Sequence, residues 1–160
     1  MQDSEIIKKA EVILDKLLEL LEISGAERKL SVEVDQADKR FLKVTIEGEE
    51  LGSLIGYRGN TLNSLQLVFA QILAQETGEH MPVLIDINGY RKRRTDYLES
   101  LALRAAREAE ESGQNVELPP LNALERRIVH LALSKEKGVT TESVGEEEER
   151  HVIVKIEKGK

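Results

Sequence analysis

A chain of 160 residues with 40% apolar residues can bury one ordinary core or two small ones, and its net charge of -7 gives it no general affinity for polyanions. The absence of cysteine removes disulfides, thiolate chemistry and Cys-based metal sites. No run approaches the ~18 consecutive apolar residues of a membrane span. The opening "MQDSEIIKKAEVILDKL" has no signal-peptide core, so a cytoplasmic protein is expected.

From Ser4 to about Ile23 the spacing predicts an amphipathic helix capped by Ser4 and stopped before Gly25. Ile6, Ala10, Ile13, Leu17 and Leu20 form one stripe, with Ile7, Leu14, Leu18 and Leu21 beside it. "KLSVEVDQ" and "RFLKVTIEG" then alternate apolar and polar residues around "ADK", which predicts an antiparallel hairpin. "ELGSLIG" is a short helix ending at Gly56. Asn60 or Thr61 caps a longer helix that runs to about Glu76 and stops at Gly78. "PVLIDIN" follows as an apolar strand. This αββααβ order predicts an α+β unit over residues 1–89, one three-stranded sheet with helices on one face.

A second α+β unit is expected over 90–160. It opens with the helix "YRKRRTDYLESLALRAAREAEESG", with Tyr97, Leu101, Arg104, Ala105 and Glu108 along one side. "QNVEL" predicts a short strand, "PPLNALERRIVHLALSKEKG" a proline-led helix ended by Gly138, and the remainder two strands around the solvated acidic turn "GEEEER". Charge divides unevenly. Residues 1–90 hold 9 basic and 16 acidic side chains, whereas 91–160 hold 14 of each, clustered locally as "RKRR" and "RR". Local clusters can bind a polyanion when the total cannot.

Two motifs carry chemistry. In "LIGYRGN", glycines frame a basic tip at a helix start, where backbone can approach a phosphate closely and free N–H groups point outward. Leu54, Ile55 and the strand "LKVTI" are expected to wall an apolar groove for unstacked bases. Such Gly-x-x-Gly turns clamp about four backbone nucleotides in KH domains, although helix-to-helix turns also use glycine for steric reasons alone. In "ERRIVHLAL", Leu121, Leu124, Ile128, Leu131 and Ala132 share one helical face, and Arg126 and His130 stand together on the other, in solvent. That pair could hold a phosphate or stack on a base, or be an ordinary solvated pair.

The "RKRR" run places positive charge at a helix start, against the macrodipole, and calls for compensation by acidic neighbours such as Asp86 or by a polyanion. His80, His130 and His151 show no metal-ligand spacing, and no catalytic carboxylate cluster supports a phosphate-handling enzyme. Tyrosine and phenylalanine total five and tryptophan is absent, which disfavours sheet-surface stacking modules.

Together these strings identify a family. The order helix-strand-strand-helix-GYRG-helix-strand resembles a type II KH domain, and "LNALERRIVHLAL" resembles the Arg-x-x-x-His helix of the R-three-H domain. Their tandem order, joined through "DINGYRKRR", is similar to the bacterial Jag family, also called KhpB or SpoIIIJ-associated proteins. "GSLIGYRGNTLNSLQ" and "TESVGEEEERHVIV" match its pattern too, so the resemblance covers nearly the whole chain.

The resemblance implies a cytoplasmic, non-enzymatic binder of single-stranded RNA without cofactor or metal. The family is linked to post-transcriptional control and to cell elongation and division. Its partner is a small stand-alone KH protein, with homodimerisation and single-stranded DNA binding as further expectations. Gly56, Tyr57, Arg58 and Gly59, flanked by Ile55 and Asn60, would form the clamp. Arg126, Arg127 and His130 would form the second nucleic-acid contact. Longer members carry an additional N-terminal domain that the expected organisation lacks, and two basic residues are common at the tip where this chain has Tyr57–Arg58. The rival from another class is an interaction scaffold that dimerises through its KH unit and binds RNA weakly or indirectly.

Overall fold

The computed structural model describes residues 1–157 and divides the chain into two units, Met1–Arg91 and Lys92–Lys160. The first runs α1 (Asp3–Leu20), β1 (Glu27–Val34), β2 (Arg40–Glu47), α2 (Gly52–Ile55), a 3-10 turn (Tyr57–Gly59), α3 (Asn60–Thr77) and β3 (Val83–Ile87). Its sheet has the order β1-β2-β3. β1 and β2 pair antiparallel, with Val32 opposite Leu42, and β2 and β3 pair parallel, with Val44 opposite Ile85. This is the expected αββααβ arrangement. The hairpin turn forms because the Asp35 carboxylate accepts from the Ala37 and Lys39 amides (2.8 and 2.9 Å).

Period-2 alternation puts Leu42, Val44 and Ile46 on the covered sheet face, where they meet Leu14 of α1 and Phe69 of α3 in one buried cluster. The helix stripe differs from expectation. Ile6, Ala10, Leu14 and Leu18 are the buried row of α1, while Leu20 and Leu21 are exposed. Ile6 and Ala10 suit two overlapping rows, and packing under the sheet buries the i, i+4 row. α1 also starts earlier, with Gln2 at the cap, and Asn60 and Thr61 lie inside α3, whose cap position is Gly59.

The second unit contains most of α4 (Tyr90–Ser112), then β4 (Val116–Glu117), α5 (Ala123–Leu133), β5 (Val139–Val144) and β6 (His151–Ile156). Sheet order is β4-β6-β5, all antiparallel, with Val154 paired to both Val116 and Thr141. The "QNVEL" strand is reduced to two residues because Pro119 and Pro120 lack the N–H that would extend the ladder. α5 starts after the prolines, capped by Asn122, whose side chain accepts from the Glu125 amide (2.9 Å). The buried face of α4 is Leu98, Ala102, Ala105, Ala106 and Ala109, so Tyr97 and Arg104 point outward rather than into the core.

Candidate nucleic-acid interface

The GYRG turn is shaped by backbone conformations that favour glycine. Gly56 ends α2 at φ 70° and ψ -175°, Arg58 sits at φ 52°, and Gly59 at φ 79° leads into α3. Packing makes the same demand. A Cβ on Gly56 would lie 2.0 Å from Thr61 Oγ1, and one on Gly59 would lie 2.8 Å from Tyr90 Cε1. No acidic residue occupies the first turn of α2, of the 3-10 turn or of α3, so no carboxylate of those turns neutralises the positive end of the 18-residue α3.

Above this backbone Tyr57 is 72% exposed, and the Arg58 guanidinium lies 4.9 Å from its ring centroid. A cation stacked on an exposed ring offers a flat surface with a positive edge, suited to a base and its phosphate together. Asn60 is exposed and Ile55 half-buried beside the turn. The expected groove wall is otherwise absent. Leu54, Leu42, Val44 and Ile46 are buried in the core, because that face of β2 packs under the helices.

The Arg126–His130 pair also departs from expectation. His130 is half-buried, with Nδ1 2.5 Å from Thr141 Oγ1 and Nε2 2.8 Å from Ser143 Oγ, alternate residues on one face of β5. Arg126 turns back to donate to the Leu121 carbonyl (2.7 Å). The pair therefore lies against the unit rather than free in solvent. Burial, with the Arg126 charge adding to it, holds the His130 imidazole below its ordinary value of 6.5, so at neutral pH it is a neutral ring hydrogen-bonding two hydroxyls. Arg127 alone of the three is exposed. The helix is rotated from the expected face. Val129 and Leu133 are buried, whereas Leu124 and Leu131 are 65% and 61% exposed.

The cause of that rotation was not legible locally. Glu125 is only 6% exposed and pairs with Arg94 (Nε–Oε1 2.8 Å), a partner 31 residues away. The basic run is thus largely committed. Arg91 donates to the Ile85 carbonyl (2.7 Å), to Asn63 and to Gln66, and its own amide donates to Asp86 (3.1 Å). Lys92 pairs with Asp96 (2.9 Å). Asp86 supplies the anticipated compensation at the helix start.

The depressed His130 pKa carries a pH prediction. The unfolded chain takes up a proton at this ring near pH 6.5 while the folded chain resists it, so stability falls as pH drops below that value and levels off below the folded pKa. Between about pH 7.5 and about pH 5.5, unfolding measured by amide exchange in the second unit should show a larger loss for the unaltered chain than for His130→Asn. Equal losses would show that burial and the Arg126 charge do not select the neutral ring.

Among the described residues no group of three His, Asp or Glu side chains could hold a metal ion, and no helix is long and apolar enough to cross a membrane. Family models match both units: the KhpA/KhpB KH domain over residues 14–85 and the R-three-H domain over 96–155. Three relatives are each named RNA-binding protein KhpB. The Clostridium symbiosum protein is 37% identical over 94% of this chain and 69% of its own length. The Bacillus subtilis protein is 31% identical over 94% and 73%, and the Lactiplantibacillus plantarum protein 32% identical over 91% and 44%. With the KH and R-three-H models in this order and a 37% identical relative matched over 69% of its length, the chain belongs to the KhpB family.

Proposed function

We propose that this chain is a cytoplasmic, non-catalytic binder of single-stranded RNA whose principal contact is the GYRG turn. The observation that carries the reading is the turn itself: two glycines without room for a Cβ, leading into a helix start with no acidic residue in its first turn, beneath an exposed Tyr57–Arg58 stack. The glycines let a phosphodiester approach the α3 amides, Arg58 supplies charge, and Tyr57 stacks on a base. The family's named relatives, all RNA-binding proteins, support the ligand class. Arg126 and Arg127 give a second, charge-based contact, with His130 setting the place of α5 on β5. A role in post-transcriptional control of elongation and division belongs to this same reading.

A second reading, a scaffold for a small KH protein or a second copy, is favoured by one feature. Val12, Leu17, Leu20 and Ile72 line a groove of about 580 Å³ between α1 and α3, rimmed by lysines. Tyr57→Asp/Arg58→Asp separates the two. Loss of one stacked base and one phosphate contact should weaken binding to a short single-stranded RNA about tenfold or more, with association between protein chains unchanged. Unchanged RNA affinity with a folded variant would leave only the scaffold.

A further inference from the structure

The outward face of α4 holds residues that neither the GYRG turn nor the Arg-x-x-x-His helix uses. Arg93, Tyr97, Ser100, Arg104 and Arg107 follow one another at steps of 4, 3, 4 and 3 residues, which aligns them on one side of a helix. All five are exposed, and they lie opposite the buried row Leu98, Ala102, Ala105 and Ala109. A shallow groove of about 460 Å³ runs along this face, lined by Tyr97, Ser100, Leu103, Arg104, Arg107 and Asp96.

The charges in that groove are not spent on each other. The Asp96 carboxylate is engaged by Lys92 at 2.9 Å. Glu108 and Glu111 stand one turn beyond Arg104 and Arg107, yet among the described residues neither arginine forms an ion pair. Tyr97 is held in place from below. Arg94 lies 5.3 Å from its ring centroid and is itself fixed by Glu125, and the ring remains 49% exposed. In a chain of net charge -7, an exposed row of guanidiniums beside a braced aromatic ring is a local positive patch that can attract a polyanion.

We infer that this α4 face is a third single-stranded RNA contact, in which Arg104 and Arg107 hold phosphates and Tyr97 stacks on a base. It rests on the proposed function. Guanidiniums suit phosphate because their N–H donors form paired hydrogen bonds to its oxygens, and tyrosine accepts any base face, so the face binds without a sequence code. Arg93 to Arg107 spans about 21 Å at the helical rise, which matches about six nucleotides of a stacked strand. From Tyr97 onward the face lies within the stretch matched by the R-three-H model, but it shares no residue with the GYRG turn or with Arg126, Arg127 and His130. It makes this a basic-aromatic track rather than a pocket, and predicts that longer strands bind more tightly than short ones.

The test uses the full chain and a labelled single-stranded RNA long enough to cover more than one site. Arg104→Glu/Arg107→Glu should weaken binding about tenfold and lower the salt slope by about 1.4, the value for two lost phosphate contacts at ~0.7 each. Lys135→Glu/Lys137→Glu, on exposed residues off the face, makes the same change in net charge and should leave the affinity within about twofold of the unaltered chain. Arg104→Gln/Arg107→Gln repeats the measurement without charge reversal. If Arg104→Glu/Arg107→Glu and Lys135→Glu/Lys137→Glu weaken binding equally, only the overall charge matters and the inference falls. If the α4 variants bind as the unaltered chain does while Tyr57→Asp/Arg58→Asp does not, the face is not an RNA contact but the GYRG reading stands. If the unaltered chain binds no RNA, both fall. Retained RNA affinity together with lost binding to anionic vesicles would assign the face to a membrane surface and overturn the inference.

Discussion

Gly56→Ala should destabilise the first unit by about 1–3 kcal/mol and weaken RNA binding about tenfold or more. The φ of 70° with ψ of -175° is a region that a Cβ makes costly, and the new methyl would sit 2.0 Å from Thr61 Oγ1 and 2.7 Å from Thr61 Cβ. Rotating the threonine hydroxyl away does not relieve the second contact. The chain must instead move, which displaces Tyr57 and the first amides of α3 together. Gly52→Ala provides the contrast. A Cβ there meets nothing within 4 Å, and the residue opens α2, so it should be neutral or stabilising by about 0.5–1 kcal/mol with RNA affinity retained. Urea unfolding and RNA binding on the two variants check both expectations. Equal stability and affinity would mean that the turn tolerates any small residue.

Arg94→Ala should destabilise the second unit by about 3–5 kcal/mol, among the largest effects available in this chain. It leaves the Glu125 carboxylate, 8% accessible at its side chain, with no guanidinium and little water. Glu125 also reaches back to the Asn122 amide (3.3 Å), so Glu125→Ala costs part of the helix start as well. The double variant Arg94→Leu/Glu125→Leu should cost less than the sum of the single changes, because no lone charge is left inside. Amide exchange across α5 measures all three. Strict additivity would show that the pair is not coupled.

The same pair explains why half of the site was hidden in the sequence. The GYRG turn was readable because its own signals lie within a dozen residues, a glycine stop, a basic tip and a helical run, although Tyr90, which packs on Gly59, lies far outside them. The β1–β2 hairpin was readable for a similar reason, since strict alternation in "RFLKVTIEG" announces β2 without outside help, whereas the parallel pairing of β3 on β2 was not. In α5 the apolar residues fit two faces about equally. The choice between Leu124–Leu131 and Val129–Leu133 is made by Arg94 drawing Glu125 inward, a contact no local pattern contains. The hydroxyls that hold His130 left a faint signal, since Thr141 and Ser143 alternate on one strand face. Nothing in the spacing said that β5 would lie beneath α5. The apolar groove failed because alternation tells which strand residues share a face, not whether that face is covered.

Most directly at issue is whether the Tyr57–Arg58 tip holds RNA. The decisive measurement is fluorescence-anisotropy binding of a short single-stranded RNA across a salt series, for the unaltered chain and for Tyr57→Asp/Arg58→Asp. The account predicts a loss of about tenfold or more and a salt slope shallower by about 0.7 for the phosphate contact removed. Superimposable curves from a folded variant would contradict it, and would reduce the GYRG turn to a joint between two helices.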